Sequence, residues 1–284
     1  MTRLRLISYH TDGYRPPGHH DRDDRAARIA RVLRALLAAE DTPAVVAVQG
    51  LAATGTRAAA DTLRHLAAAT RLCCDTGASP HRGVAAVAAG RHDNAVGIMW
   101  SPDVSPETAT WGTITHGVLW HSLAWLTVRV GGRRLTVATY QAPPPHVERH
   151  RFRYEADIIS TALTANPHHE VWLAGAFTTP ASRQRPDGTY HDPEPAPGPG
   201  QDTLADRSLD ALLASREFVD VAVMYGRPLI PTVDGQRMDR WLWRRGHAPP
   251  PQPLGARVIG HHVVDDSHTR AASPHRPVVC TVHL

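Results

Sequence analysis

The run Val171-Trp172-Leu173-Ala174-Gly175-Ala176-Phe177-Thr178-Thr179 leaves a chain of this size few ways to fold. It reads as a buried strand that stops at a glycine, turns sharply and closes on a small polar pair. A continuous apolar strand has to be covered on both faces. Strand ends of this kind are where α/β proteins place their chemistry, because the turn projects side chains into a crevice. Pro43-Ala44-Val45-Val46-Ala47-Val48-Gln49-Gly50 repeats the pattern, an apolar run ending in a polar residue and glycine. Leu4 to Ser8 is a shorter strand that runs into a polar end and turn, Tyr9 to Gly13.

Between these strands the apolar spacing changes. Ile29, Val32, Leu33, Leu36 and Leu37 recur at three and four, one face of a helix that starts near Asp21, Asp23 or Asp24 and ends near Ala39. A second helix is predicted over Arg57 to Thr70 and a third over Val147 to Thr164. Leu204 to Ser215 is predicted as a short fourth. Strands are predicted over Val84–Ala88, Ala95–Trp100, Ala109–Ile114, Ser122–Val130 and Arg134–Thr139, with Gly131-Gly132 as a hairpin turn. Val219–Met224, Met238–Trp243, Ala256–Val264 and Pro277–His283 are the last strands. Several strands follow one another without a helix, so two packed sheets with helices outside fit better than one doubly wound sheet. No repeat or boundary divides the chain, so one domain over residues 1–284 is expected. It carries a Pro/Gly-rich loop at about 180–203 and a second proline-rich loop over Ala248 to Pro253.

The 284 residues are 42% hydrophobic, enough to build a core and to exclude wholesale disorder. Net charge is +4, and every basic side chain is arginine. With the many Ala, Pro and Gly residues, this reads as compositional bias over a solvated surface, since a nucleic-acid binder concentrates its basic residues. Cys73, Cys74 and Cys280 are odd in number and lack metal-ligand spacing, which fits a reduced setting. The first strand leaves no signal-like apolar segment, and no stretch is long enough to span a bilayer, so a cytoplasmic protein with no membrane partner is expected.

Seven segments, in order, resemble one superfamily. Leu4 to His10 resembles an opening strand that ends Trp-Asn. Pro43 to Gly50 resembles a second strand ending Leu-Gln-Glu, and Asn94 to Trp100 a middle strand. Leu135 to Tyr140 resembles a strand ending Thr-His, and Val171 to Thr178 resembles Gly-Asp-Phe-Asn. Met238-Asp239-Arg240 resembles Ile-Asp-Tyr, and Ser273-Pro274-His275-Arg276-Pro277-Val278 resembles Ser-Asp-His-Arg-Pro-Val. The pattern is that of the endonuclease/exonuclease/phosphatase (deoxyribonuclease I-like) superfamily. The resemblance implies an α+β fold: a four-layer α/β/β/α sandwich of two mixed sheets packed face to face.

The resemblance also implies phosphoester hydrolysis and a division of labour. The second-strand Glu holds Mg²⁺ with help from the first-strand Asn. The Asp of Gly-Asp-Phe-Asn handles the attacking water, while its Asn and the Thr-His histidine hold the phosphate. The terminal His, oriented by a carboxylate, stabilises charge on the phosphoryl oxygens. Carried over, this set is dismantled. Gly50 stands at the metal Glu, His10 at the first-strand Asn and Tyr140 at the Thr-His histidine. Ala176 and Thr178 replace the Asp and Asn, and Pro274 replaces the Asp before the terminal histidine. His275 and Asp239 remain.

The expected function is therefore a catalytically degenerate homologue that lacks ordinary Mg-dependent phosphodiesterase activity and binds in the old crevice. Its partner would be a small molecule or a protein, with nucleic acid less favoured. One alternative is metal-free acid/base chemistry on a small molecule, with His10, Tyr140 and His275 as the candidate catalytic residues. A second is a residual phosphoesterase or nuclease using substitute ligands such as Asp12 or Asp239. No cofactor is expected, and Mg²⁺ or Mn²⁺ only under that second alternative. No residues are assigned as metal ligands. His19-His20-Asp21, His168-His169 and His261-His262 are read as exposed or structural, and adjacent strand residues such as His261 and His262 face opposite ways. Trp241 and Trp243 are read as core or sheet cover, and Arg149, Arg151 and Arg153 as a solvated helix face.

Overall fold

Side chains alternate across a strand, and here both alternating sets are largely apolar, so each sheet must be covered twice. The computed structural model describes residues 2–16, 24–77, 84–107, 110–115, 117–142, 149–165, 170–177, 183–184, 190–191, 218–225, 232, 239–246 and 257–284. In chain order the elements are β1 (Arg3–Tyr14), α1 (Arg25–Ala38), β2 (Ala44–Ala52), α2 (Gly55–Thr70), β3 (Val87–Ala89) and β4 (Asn94–Trp100). Next come β5 (Ser105–Pro106), β6 (Gly112–Ile114), β7 (Ser122–Val130), β8 (Arg133–Gln141), α3 (Arg149–Thr164) and β9 (Glu170–Ala176). Then follow β10 (Arg183–Gln184), β11 (Tyr190–His191), β12 (Val219–Asp220) and α4 (Val221–Met224). The chain closes with β13 (Asp239–Arg244), β14 (Arg257–Val263), α5 (Ser267–Ala272) and β15 (Val278–His283).

The long strands form two mixed sheets. One runs β14-β15-β1-β2-β4-β3; the other runs β12-β13-β9-β8-β7-β5, with β6 also on β7. In the first, β1 lies parallel to β2 and antiparallel to β15. In the second, β9 lies parallel to β8 and antiparallel to β13. Leu4, Leu6, Val45 and Ala47 meet Val137, Trp172, Ala174 and Trp241 in the core between the sheets. On the other face of the first sheet, Ile7, Tyr9, Val46 and Val48 pack under α1 and α2. On the other face of the second, Ala138, Tyr140, Val171 and Leu173 pack with Ala156 and Ile159 of α3. The layers are thus α/β/β/α, as the sequence resemblance implies.

Several local expectations are corrected. β1 does not turn at Tyr9 to Gly13 but runs on to Tyr14, past a register shift against β2. Asp12 and Gly13 take positive φ there, and the Thr11 hydroxyl reaches the carbonyls of Gln49 and Gly50. The strand expected over Val219–Met224 stops after Asp220, whose Oδ1 accepts from the Ala222 N–H at 3.0 Å and starts the turn of α4. The strand expected over Val84–Ala88 lies at Val87–Ala89, and the one over Ala109–Ile114 is confined to Gly112–Ile114. α5 was not anticipated. Its signal is a capping box in which Asp266 accepts from Thr269 N and Thr269 Oγ1 from Asp266 N. The Leu204–Ser215 helix, the proline-rich loop over 248–253, His19, His20, Asp21, His168 and His169 lie outside the described residues, as do the side chains of Arg149, Arg151 and Arg153; of the loop expected at about 180–203 the described part is the antiparallel pair β10–β11. His261 is buried and His262 exposed.

Gly175 is required by a close approach rather than by its backbone angles. A Cβ there would lie 2.8 Å from the Phe177 ring and 3.0 Å from the Tyr140 carbonyl oxygen. Phe177 is fully buried and cannot swing away. Gly175→Ala is expected to cost about 1–3 kcal/mol through overpacking, read as a lower urea midpoint with an unchanged slope.

Candidate functional site

Alternation fixes which residues reach the crevice. On β1, Leu4 and Leu6 enter the core between the sheets, so Ser8 and His10 follow on the same face. On β2 the set Val45 and Ala47 continues to Gln49. On the second sheet Val137, Ala174 and Trp241 face inward, which carries Thr139 and Gln141, Ala176, and Asp239 inward with them. Ser122, Gln141, Ala176 and Asp239 are direct cross-strand partners along one row. His275 sits in the turn before β15, so all these groups gather at one end of the sandwich.

Polar bonds close that end. The Gln49 carboxamide is fully buried and donates to Thr139 Oγ1 at 2.8 Å, tying the first sheet to the second. The Gly50 N–H donates to Gln141 Oε1 at 3.2 Å, a second tie. Neither glutamine's role was anticipated from the sequence. The parity of β2 and β8 was the available signal.

The structure brings His10, His275 and Asp239 together. His275 Nδ1 lies 2.8 Å from Asp239 Oδ2, with Asp239 fully buried and the His275 side chain 13% exposed. A carboxylate accepts only, so Nδ1 carries a proton, and in the neutral ring Nε2 is the nitrogen with the lone pair. The His10 ring stacks on His275, with centroids 4.0 Å apart and planes inclined by 32°. His10 Nδ1 accepts from the Asp12 N–H at 3.2 Å, which places the His10 proton on Nε2. Ser273 ties the two main chains together: its hydroxyl donates to the His10 carbonyl oxygen and accepts from the His275 backbone N–H. Burial pushes the His10 pKa down to about 3, with His275 adding to the effect against the pull of Asp239. His10 is therefore a neutral ring. His121, just before β7, is also pushed down by burial, to about 4.

Tyr140 is elsewhere. Its parity places it on the α3 face, fully buried beside Phe177. Its hydroxyl donates to Glu155 Oε2 at 2.6 Å, and the same carboxylate accepts from the Trp120 N–H. The three-residue set His10, Tyr140 and His275 is thus corrected to two. The strand pleat turns Tyr140 toward the helix layer, and its hydroxyl is committed to a buried carboxylate there. Pro274 is exposed, and Thr178 lies outside the described residues.

Gly50 and His10 are complementary in shape. Gly50 has φ +69°, and a Cβ there would stand 2.9 Å from His10 Cε1, 3.1 Å from its Nε2 and 2.9 Å from Asp12 N. The imidazole lies against the space into which a side chain at position 50 would start.

A magnesium ion needs about six oxygens in octahedral order. Gly50 and Ala176 offer none from their side chains. Asp12 is turned to Arg25 at 2.9 Å, and one oxygen of Asp239 is on His275. Among the described residues no three His, Cys, Asp or Glu side chains converge as a metal site. Among the described residues the donor set does not fit Mg²⁺.

Two outcomes are expected. Tyr140→Phe should cost about 1–3 kcal/mol of stability and leave the His275 ring resonances in place. The two buried histidines also make the fold acid-sensitive. Their folded pKa values lie below the value of about 6.5 for an unfolded histidine, so the unfolded chain takes up protons first. Their stabilisation is complete above about pH 6.5 and falls by on the order of 1 kcal/mol per pH unit per histidine below it. The loss continues toward about 4 for His121 and about 3 for His10. Urea midpoints taken down from neutral pH measure the slope, and the His10 ring should remain neutral by NMR throughout.

No family model and no curated protein matches the chain. Solved structures do. The catalytic domain of human nocturnin with a bound sulfate anion aligns over 99% of this chain and 94% of its own, at 11% identity and a TM-score of 0.63. A humanized D. rerio TDP2 aligns over 99% of both chains, at 17% identity and a TM-score of 0.62. An endonuclease/exonuclease/phosphatase from Beutenbergia cavernae DSM 12333 aligns over 100% of this chain and 72% of its own, at 19% identity and a TM-score of 0.56. The chain thus has the fold of the endonuclease/exonuclease/phosphatase, deoxyribonuclease I-like, superfamily.

Proposed function

We propose that this chain is a metal-independent relative of those hydrolases, which binds a small molecule in the old crevice instead of cleaving phosphodiesters with Mg²⁺. One observation carries the reading. The side-chain space at Gly50, where the resemblance puts the metal-holding Glu, is bounded by the neutral ring of His10 at 2.9 Å. The carboxylate is replaced by a packed imidazole, so the position is rebuilt rather than merely vacant. The substitute-ligand alternative is weaker: Asp12 is half exposed and paired with Arg25, and Asp239 is committed to His275. A single-stranded DNA product is bound by D. rerio TDP2; at 17% identity that ligand does not transfer to this chain.

A second reading has its own support. The Asp239–His275 pair is a carboxylate-oriented imidazole, with Nδ1 held and Nε2 available to take a proton. It would make the crevice a metal-free general base, with His275 as the catalytic residue and Asp239 as its positioning partner. Tyr140 has no part in it. Among the described residues no helix is long and apolar enough to cross a membrane.

The test is hydrolysis of an activated phosphodiester such as bis(p-nitrophenyl) phosphate, with Mg²⁺, with Mn²⁺ and with chelator. No turnover above the His275→Ala variant is expected in any of the three. Metal-dependent turnover that disappears in His275→Ala would overturn the proposal.

A further inference from the structure

The charge in the crevice is left half answered. Asp239 is fully buried, and its Oδ2 takes the His275 proton. Its Oδ1 has no hydrogen-bond partner among the described residues. The neighbour on its row is Ala176, whose methyl donates nothing. A buried carboxylate with one imidazole N–H as its only partner is costly, and a positive charge nearby relieves that cost.

The cations that flank this end are turned away. Arg25 donates to Thr11 O, Asp12 and Ala272 O. Arg276 donates to Asp265, Thr232 O and Pro274 O. The Gly50 N–H is spent on Gln141, and the Nε2 edge of His10 is turned toward Gly50. His121 Nδ1 is a further buried nitrogen without a partner, close enough to be felt electrostatically by His10. Among the described residues, the neutral form of His275 turns an Nε2 lone pair, backed by a carboxylate, to this end of the sandwich. A phosphate, which in its ionised forms offers mainly acceptor oxygens, would compete with the bonds that Arg25 and Arg276 already make.

We infer that the crevice is a cation site, whose ligand is a small molecule carrying a protonated amine or guanidinium that donates to His275 Nε2, with Asp239 supplying the counter-charge. This rests on the reading of the crevice as a metal-independent binding site. It reverses the sign of the ligand relative to the anionic substrates that the sequence resemblance implies.

The probe is agmatine, which carries both groups, set against inorganic phosphate with and without MgCl₂. Imidazole resonances are followed by NMR and affinities by calorimetry. Agmatine is expected to move the His275 resonances saturably, and phosphate alone is not. Cation and proton compete for one lone pair, so agmatine affinity should rise as the pH is raised. The groups facing the His275 ring are His10 on β1 and Asp239 on β13, with His121 and Arg25 farther out. Asp239→Asn should weaken agmatine at least about tenfold. If that variant does not fold, His275→Gln provides the same comparison. Unchanged agmatine affinity in the folded variant would overturn the inference, as would no agmatine binding at all. Phosphate binding without metal, in place of agmatine, overturns the ligand class and leaves the metal-independent reading standing. Phosphate binding only with Mg²⁺ overturns both.

Discussion

Everything at the functional end depends on the apolar contact between the two sheets. That contact fixes strand parity, because side chains on a strand have a period of two and a slip of one residue exchanges the faces. With Leu4, Leu6, Val137 and Ala174 locked into the inter-sheet core, His10, Gln141 and Ala176 have no choice of direction. The site is the polar continuation of the core, at the point where the strands outrun their apolar residues. Gln49 and Thr139 mark the transition, joined across the gap by a buried hydrogen bond.

Parity also explains what was legible in the sequence. The long strands and the first three helices announce themselves through period, and seven ordered strand ends implied the architecture that the solved structures share. His10, His275 and Asp239 were also visible as residues. Their mutual geometry was not, since they come from three distant segments and meet only through folding. Tyr140 occupies a motif position, but the pleat decides its direction: two residues after an inward Val137 is Thr139, so Tyr140 faces the helices. Glu155, its partner, lies in a helix whose periodicity gives no hint of a buried carboxylate. α5 is too short to show a period, and its signature is the Asp266–Thr269 cap. At Val219–Met224 an apolar run suggested strand, and Asp220 overrode it by capping a turn.

The sequence resemblance makes this end of the sandwich the counterpart of a phosphoryl-transfer site. Where a hydrolase of the resemblance would place a divalent cation between carboxylates, this chain has an uncharged ring resting on another ring. The surviving histidine–carboxylate pair still fixes a tautomer and an orientation. Asp239 in that pair is fully buried, and its second oxygen has no partner among the described residues.

The close fit of His10 against Gly50 has a consequence for how such a site changes over generations. The two positions are epistatic. With glycine at 50 the ring at position 10 is accommodated, whereas a side chain there would begin 2.9 Å from Cε1 of that ring and in a left-handed backbone conformation. A side chain at 50 therefore requires the ring at position 10 to move or to shrink, and the Asp12 backbone to give way. Each of the two positions limits which residues the other can take.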